Sequence, residues 1–335
     1  MAAWRLCSML ASFILACGLL SAFASQWEVT ELRMPGISPK RGDLYLCHSI
    51  RLDPNEEHNL VKFVPHGSMH SMHHMLLYGC SLPGSGADAW DCGEMHNGDE
   101  QSEYPQGPVC ADGAHIIYAW ARDAPELQLP KDVGFRVGGK TRIQYLVLQT
   151  HYMHPLEHPD YSGITLHSTK QPMPKSAGVA LMVTGGKLPA QATEKFETAC
   201  IVDEDVELHP FAFRTHTHQQ GKVVSGYVIH EGQWQLIGKR NPMDPQMFYP
   251  VKNSDLVVRK NDILAARCTM ANPSDRDILI GPTGDDEMCN FYMMYWVDGT
   301  KLLSDNTCFS PGPPNYYWAK EGGLTNIPDE DASSL

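Results

Sequence analysis

Residues 213–221 read FRTHTHQQG and place an arginine and two histidines at alternate positions. On a β-strand, alternate side chains point to one face, so Arg214, His216 and His218 would project together. Two imidazoles at this spacing can bind a single metal ion from a rigid strand. Taken by itself, the pattern is more typical of an exposed histidine-rich strand that binds nothing, so a metal site needs further ligands.

Histidines of the N-terminal half form a second candidate set, in the segments HSMHHM and QTHYMH. His73 and His74 are adjacent, so a regular strand sends them to opposite faces. Both can bind one ion only if the strand is distorted or the rings turn inward. His151 is the third candidate, and His154 is its alternative in the same segment. A single histidine of this kind is more often an ordinary residue, so the hypothesis depends on the set.

The segment GDDEMCNFYMMYW offers a third ligand for the pair His216 and His218. On a strand, Met288, Asn290 and Tyr292 would share one face. Most methionines simply pack in the core. However, a thioether beside two imidazoles is a soft ligand set that suits Cu(I) rather than Zn or Mg. A metal hydrolase is disfavoured because the segment HEGQW lacks the second histidine of an H-E-x-x-H motif.

Length and charge restrict the class of protein. A chain of 335 residues is too long to fold around one small hydrophobic core, so its length suggests roughly two domains of ~150 residues. The formal net charge of −13 argues against a nucleic-acid partner, which needs a basic surface. The composition is that of an ordinary globular protein.

The first residues have the pattern of a secretory signal peptide. Arg5 is followed by an uncharged apolar run, and Ala22 and Ala24 form a small-x-small cleavage signal, which predicts removal of residues 1–24. An N-terminal membrane anchor is the alternative interpretation. No other apolar run approaches the ~20 residues of a spanning helix. We therefore expect a secreted protein, or one of the secretory granule lumen, with no stable membrane span.

Eight cysteines remain after the signal peptide, and the oxidising route predicts four disulfides. Spacing alone does not decide among the possible pairings. The eight cysteines contain no C-x-x-C pair, which disfavours a structural zinc site and a thioredoxin-like activity. The cysteines form two groups of four, separated by the linker-like stretch KQPMPKSAG at 170–178. This division predicts domains at 27–172 and 178–320, followed by an acidic tail at 321–335.

Short β-prone runs bounded by Gly, Pro, Asn and Asp recur along the chain, among them IQYLVLQTHY and CNFYMMYWV. Such runs predict an all-β fold of two antiparallel β-sandwich or jelly-roll-like domains. The stretch at 83–114 is polar and glycine-rich and is interpreted as a long loop held by disulfides. The tail after Pro311 ends in PDEDASSL and is predicted to be disordered.

Four motifs in this order, HHMLLYGC, LQTHY, RTHTH and EMCNFYMMYW, resemble the copper type II ascorbate-dependent monooxygenases. The resemblance extends from roughly Pro35 to Asn315. It implies two β-sandwich domains that flank a solvent-filled cleft, two copper ions, ascorbate as reductant and O2 as co-substrate. Within the family, the pattern is most similar to members that hydroxylate the α-carbon of a C-terminal glycine. Glycine-extended peptides would be the substrates, and the reaction would be the first step of peptide C-terminal amidation in neuropeptide processing.

The resemblance also assigns roles to individual residues. The copper that donates electrons, in the N-terminal copper domain, would be bound by His73, His74 and His151. The catalytic copper, in the C-terminal copper domain, would be bound by His216, His218 and Met288. The terminal carboxylate end of the peptide would be held by Arg214, Asn290 and Tyr292. The implied disulfides are Cys47–Cys92, Cys80–Cys110, Cys200–Cys308 and Cys268–Cys289.

Two alternatives remain at this point. A dopamine β-monooxygenase-like hydroxylase of a small amine would use the same coppers, but a catecholamine has no carboxylate for Arg214. A non-catalytic secreted copper-binding β-sandwich protein would need no such arginine. The chain is also short for a second enzymatic domain, so we expect a monofunctional enzyme and a separate lyase for the second step. The loop between Cys92 and Cys110 is longer than the family pattern, and its role is undetermined.

Overall fold

The computed structural model describes residues 27–67, 72, 74–93, 102–121 and 123–335. Within these residues, regular structure consists of 23 strands and two short 3-10 helices, so the prediction of an all-β fold is confirmed. The predicted signal peptide at 1–24 and the predicted ligand His73 lie outside the described residues. No helix of the described part is long and apolar enough to cross a bilayer.

Twelve strands form the N-terminal half of the chain. In chain order they are β1 (Glu28–Arg33), β2 (Leu44–Arg51), β3 (Glu57–His66), β4 (His74–Cys80), β5 (Leu82–Pro83), β6 (Trp90–Asp91), β7 (Cys110–Asp112), β8 (His115–Ala121), β9 (Leu127–Gln128), β10 (Val133–Gly138), β11 (Tyr145–Tyr152) and β12 (Gly163–Thr169). The polar stretch at 83–114 thus contains short strands in its described part.

Eleven strands and both 3-10 helices form the C-terminal half. The strands are β13 (Lys175–Thr184), β14 (Lys187–Leu188), β15 (Ala192–Ile201), β16 (His209–His216), β17 (Gly221–His230), β18 (Gln233–Arg240), β19 (Tyr249–Pro250), β20 (Ile263–Asn272), β21 (Ile278–Leu279), β22 (Asn290–Asp298) and β23 (Thr307–Ser310). The helices are Lys320–Gly322 and Asp331–Ser333. Because β13 begins at Lys175, the stretch 170–178 is only partly a linker.

Three sheets form the layers of the molecule. The largest has the order β1-β12-β3-β10-β13-β22-β16-β19 and continues through both halves. A five-stranded sheet, β6-β2-β11-β4-β8, belongs to the N-terminal half, and a four-stranded sheet, β15-β20-β17-β18, belongs to the C-terminal half. Most neighbours are antiparallel, but β10 pairs with β13 and β13 pairs with β23 in parallel. The β10–β13 pairing joins the two halves through backbone hydrogen bonds.

The central strand β22 is buried on both faces, which explains its continuous apolar run. Tyr292 and Met294 belong to the core shared with the N-terminal half. Phe291 and Met293 belong to the separate core of the C-terminal half. This alternation follows from the two-residue period of a strand. Fully burying an apolar side chain of this size stabilises by about 1.5–3 kcal/mol. The strand therefore contributes to both cores at once.

The four disulfides are those that the family resemblance implied, and each lies within one half of the chain. The pairs are Cys47–Cys92, Cys80–Cys110, Cys200–Cys308 and Cys268–Cys289. Disulfides of this number are typical of proteins that mature in an oxidising compartment, as the secretory route requires.

The prediction that the tail after Pro311 is disordered was wrong. The buried guanidinium of Arg267 donates to Glu197 Oε1 at 2.6 Å and to Asp329 Oδ1 at 2.8 Å. Its Cζ lies 4.2 Å from the ring centroid of Trp318, and Ala332 is fully buried. The acidic tail therefore helps to compensate the buried charge of Arg267 on β20. Composition alone had instead indicated that the acidic residues of the tail are exposed to solvent.

Candidate metal centre

The N-terminal imidazole pair is formed by two neighbouring strands. His74 on β4 lies directly opposite His151 on β11, with 5.0 Å between the ring centroids. Two imidazoles that bind one ion at ~2 Å with a tetrahedral angle place their centroids roughly 5 Å apart, so the spacing fits a shared metal. Both rings are buried, whereas the alternative residue His154 is exposed. The structure thus favours His151 as the partner of His74.

The surroundings of His151 favour its neutral form. Its ring stacks on Tyr45 at a centroid distance of 4.0 Å, and its Nε2 lies 3.2 Å from Asp43 Oδ1. Burial lowers the pKa of His151, and the hydrogen bond with Asp43 opposes this effect in part. The same hydrogen bond lowers the pKa of Asp43. A neutral imidazole beside a carboxylate can bind a cation with little competition from protons.

The C-terminal pair lies at the end of β16. His216 is the last residue of the strand and His218 follows two positions later, with 5.5 Å between ring centroids. His216 Nδ1 lies 2.5 Å from Gln246 Oε1, and His218 Nδ1 lies 2.9 Å from the carbonyl oxygen of Asp286. Because these oxygens only accept, each Nδ1 carries the proton and each Nε2 keeps a lone pair for a metal.

The predicted third ligand, Met288, is buried and precedes β22. Asn290 Nδ2 lies 3.9 Å from its sulfur and 3.2 Å from the hydroxyl of Tyr292, so the structure brings the three residues together. Two imidazoles and a thioether form a donor set that suits copper in its reduced state. The residues present therefore fit copper better than zinc or magnesium.

A buried carboxylate that sequence reasoning missed holds these ligand segments together. Glu287 accepts backbone N–H bonds from His218 at 2.9 Å, from Gln220 at 2.7 Å and from Met288 at 3.0 Å. It also accepts from the N–H of Gln219. The only sequence signal was its position beside Met288. Gln246 was missed as well, because a glutamine in an irregular segment carries no periodic signal.

The two pairs contact each other. The ring of His74 lies 5.7 Å from that of His216, so four imidazoles form a row in the order His151, His74, His216 and His218. The hydroxyl of Tyr45 donates to the carbonyl of Pro282 across the seam at 2.7 Å. Apolar and aromatic side chains of both halves belong to one core beside this seam. The solvent-filled cleft stays a prediction.

The predicted substrate residues lie across one strand pair. Arg214 is opposite Tyr292, and His216 is opposite Asn290. Arg214 is 1% exposed, donates from Nε to the carbonyl of Gln246 at 2.9 Å and places its Cζ 5.1 Å from the Tyr292 ring centroid. Burial lowers the pKa of this guanidinium. No carboxylate of the described residues forms an ion pair with it, and a buried uncompensated cation is costly. The site therefore favours an anionic ligand.

A cavity of about 400 Å³ lies elsewhere along the seam between the halves. Its lining includes Phe135, Arg142 and Tyr295, and none of the predicted metal or substrate residues. The row of imidazoles and this cavity are therefore separate features.

The fold and the site define an all-β protein in which two imidazoles and a thioether offer a soft, copper-type donor set near a buried arginine. Comparison of this chain with models of known protein families identifies its family. Residues 30–159 match the N-terminal domain of the copper type II ascorbate-dependent monooxygenases, and residues 175–321 match the C-terminal domain. The chain belongs to this family. Membership implies copper as the resident metal and ascorbate and O2 as co-reactants.

Several relatives are named proteins. The chain is 42% identical over 294 residues to "Peptidylglycine alpha-amidating monooxygenase" of Rattus norvegicus and 40% identical to "Peptidyl-glycine alpha-amidating monooxygenase A" of Xenopus laevis. These alignments cover 86% of this chain but only 29% and 30% of the relatives. "Dopamine beta-hydroxylase" of Homo sapiens is 28% identical, over 79% of this chain and 46% of the relative. The similarity to the amidating relatives is thus the greater.

Proposed function

We propose that this protein hydroxylates the α-carbon of a C-terminal glycine in peptides, the first step of peptide C-terminal amidation. The observation that carries the proposal is Arg214, a fully buried guanidinium without a carboxylate partner among the described residues, two positions from His216. A peptide carboxylate would compensate this charge through two parallel hydrogen bonds. The names of the relatives at 40–42% identity agree with it.

Each side chain has a defined task in this proposal. Arg214 binds the terminal carboxylate, and Asn290 and Tyr292 orient it, which places the adjacent α-carbon beside the catalytic set. That set is His216, His218 and Met288, and the electron-donating set is His73, His74 and His151. When bound, copper supplies the one-electron chemistry with O2. One oxygen atom enters the Cα–H bond, and the other takes up two protons and leaves as water, while ascorbate supplies the two electrons. The dry surroundings of the imidazoles exclude water.

An assay with a small panel separates this proposal from its alternatives. Ascorbate-dependent O2 uptake is measured with peptides that end in Gly, Ala or Glu and with a small aromatic amine. The proposal expects turnover of the Gly peptide above all others. Turnover of the amine alone would favour the dopamine β-monooxygenase-like alternative, and copper binding without any uptake would favour a non-catalytic copper protein. We further propose a secretory granule lumen or secreted location and a separate lyase for the second step.

The protein should bind two copper ions per chain. His151→Ala removes one ligand of the electron-donating set, so this variant should retain one copper per chain. His154→Ala is the matched control because that side chain is exposed, and it should retain both. Metal content after dialysis measures the outcome. A stoichiometry of one for the wild type, or zinc retained with full activity, would contradict the two-copper assignment.

Met288→His should leave the copper content near normal and lower hydroxylation at least tenfold. Two imidazoles on one segment suffice to hold some metal, but an imidazole is a harder donor than a thioether and disturbs the preference for Cu(I). X-ray absorption of the reduced wild type should detect an average of one sulfur ligand per two copper ions, and the variant should lose this signal. If the sulfur signal persists, another residue is the ligand, and Met294→Leu would be tested next.

A further inference from the structure

The cavity of about 400 Å³ between the halves begins where the pairing of β10 with β13 ends. The last paired residues are Gly134 on β10 and Ser176 on β13. Phe135, which follows on β10, lines the cavity together with Ala177 and Val179 on β13. The two strands therefore part at this point, and the space between them is lined by both halves of the chain.

Buried apolar side chains from two cores form the inner wall of this cavity. Phe135 and Val179 belong to the core shared by both halves, whereas Tyr295 and Leu303 belong to the core of the C-terminal half. The ring of Tyr295 fits there because Gly178 has no side chain, since a Cβ at that position would lie 2.6 Å from the ring Cζ. A pocket of this volume with an apolar wall and few polar groups is typical of a site for a small organic molecule.

The charged side chains of the lining are mostly basic. Four of the lining residues are lysines or arginines, namely Arg136, Lys140, Arg142 and Lys301. Glu204 is the one carboxylate among the described lining residues, and it already accepts from the N–H and the hydroxyl of Ser304 at 2.7 and 2.8 Å. Because the whole chain has a formal net charge of −13, this excess of cations is local to the cavity. It favours an anionic ligand.

Two of the four cations are available to a ligand. Arg136 donates to both carboxylate oxygens of Glu57, at 2.6 and 2.8 Å. Lys301 Nζ donates to a backbone carbonyl at 2.7 Å. Lys140 and Arg142 are exposed, and neither forms an ion pair with a carboxylate of the described residues. Since exposed residues of the lining mark its opening, these two cations lie at the mouth of the cavity.

The turn between β10 and β11 that carries both cations is held by hydrogen bonds. The N–H of Gly138 donates to the carbonyl of Ile143 at 2.8 Å, and the N–H of Thr141 donates to the carbonyl of Gly138 at 3.0 Å. Gly138 has a φ of 69°, which glycine adopts without strain. The turn therefore places Lys140 and Arg142 at the mouth before a ligand binds, and such preorganisation lowers the entropic cost of binding.

We propose that this cavity binds a small amphiphilic organic anion. Its carboxylate, sulfate or phosphate group lies against Lys140 and Arg142, and its apolar body packs between the two cores. The site is separate from the candidate metal centre, because no predicted metal or substrate residue lines it. Since residues of both halves line the cavity, the ligand binds the assembled halves and stabilises the folded protein.

Calorimetric titration of the copper-loaded protein with octanoate tests the proposal. One octanoate should bind per chain and raise the melting temperature. Its affinity should fall as the salt concentration rises, because ions screen the exposed cations at the mouth. 1-Octanol has the same apolar chain without the charge and should bind more weakly than octanoate. Equal affinity for the two probes, or no binding of octanoate, would overturn the proposal.

The double variant Lys140→Gln/Arg142→Gln should weaken octanoate binding about three- to thirtyfold, as expected for the loss of two exposed ion pairs. Both positions are exposed, so the fold should be unaffected. Lys131→Gln is the matched control, because this exposed lysine precedes β10 and does not line the cavity, and it should keep the wild-type affinity. Ala177→Leu should also weaken binding, because it fills part of the cavity and leaves both cations in place.

Arg214→Gln separates the cavity from the candidate peptide site, where a carboxylate probe could also bind. This variant should keep its affinity for octanoate, because Arg214 does not line the cavity. Loss of octanoate binding in Arg214→Gln together with full binding in Lys140→Gln/Arg142→Gln would place the probe at the peptide site and contradict the assignment of the cavity. Peptide turnover tests the proposed function independently of either result.

Discussion

Replacing Arg214 with Gln should lower kcat/KM for glycine-extended peptides by roughly ten- to a hundredfold or more, mainly through a higher KM. Glutamine retains some length and polarity but lacks the charge and the planar fork that match a carboxylate. The buried position of Arg214 makes this loss large, since no water replaces the missing contact. Steady-state kinetics with free-acid and ester peptides measure it.

Copper content provides the first control for this variant. Arg214 is not a proposed ligand, so Arg214→Gln should bind as much copper as the wild type. Arg240→Gln is the matched substitution, because Arg240 lies over the ring of Tyr249. Tyr249 pairs with Phe213, whose side chain lies on the face of β16 opposite to that of Arg214. It should leave KM unchanged. An unaltered KM for Arg214→Gln would mean that the arginine supports the core instead of the substrate.

The sequence predicted those parts of the site that depend on residue type and on the two-residue alternation of side chains along a strand. Alternation along one strand correctly placed Arg214 and His216 on the same side, where both contact Gln246. Alternation along β22 placed Tyr292 and Met293 in different cores. A period of two is a property of the backbone, so it can be recognised without knowledge of the partner strand.

The features that sequence reasoning missed all depend on contacts between distant segments. The parallel pairing of β10 with β13 has no sequence signature, yet it joins the halves. The contact of Tyr118 in the N-terminal half with Phe248 in the C-terminal half is likewise indicated by no local pattern. The acidic tail was interpreted from its own composition, whereas its structure depends on Arg267, more than 60 residues earlier.

Glu287 is another residue whose contacts with distant segments could not be predicted from the sequence. Its replacement should have the largest effect on the candidate metal centre. Glu287→Gln preserves shape but places an amide NH2 against two backbone N–H donors. One oxygen of the native carboxylate accepts from His218 and Met288, and the other accepts from Gln219 and Gln220. Either orientation of the amide leaves two backbone donors without an acceptor, namely the buried pair of His218 and Met288 or the partly buried pair of Gln219 and Gln220. The loss should destabilise the protein by about 1–3 kcal/mol for each fully buried donor and by less for a partly buried one.

The effect on copper should be specific to the C-terminal set. Glu287 fixes the segments that carry His218 and Met288, so its loss should weaken copper binding at this set about 10–100-fold, as outer contacts of metal ligands typically do. Competitive chelation and urea unfolding measure both effects. Asp285→Asn is the control in the same loop, because that carboxylate is exposed. Retention of both copper affinity and stability in Glu287→Gln would show that the backbone holds the ligands without this carboxylate.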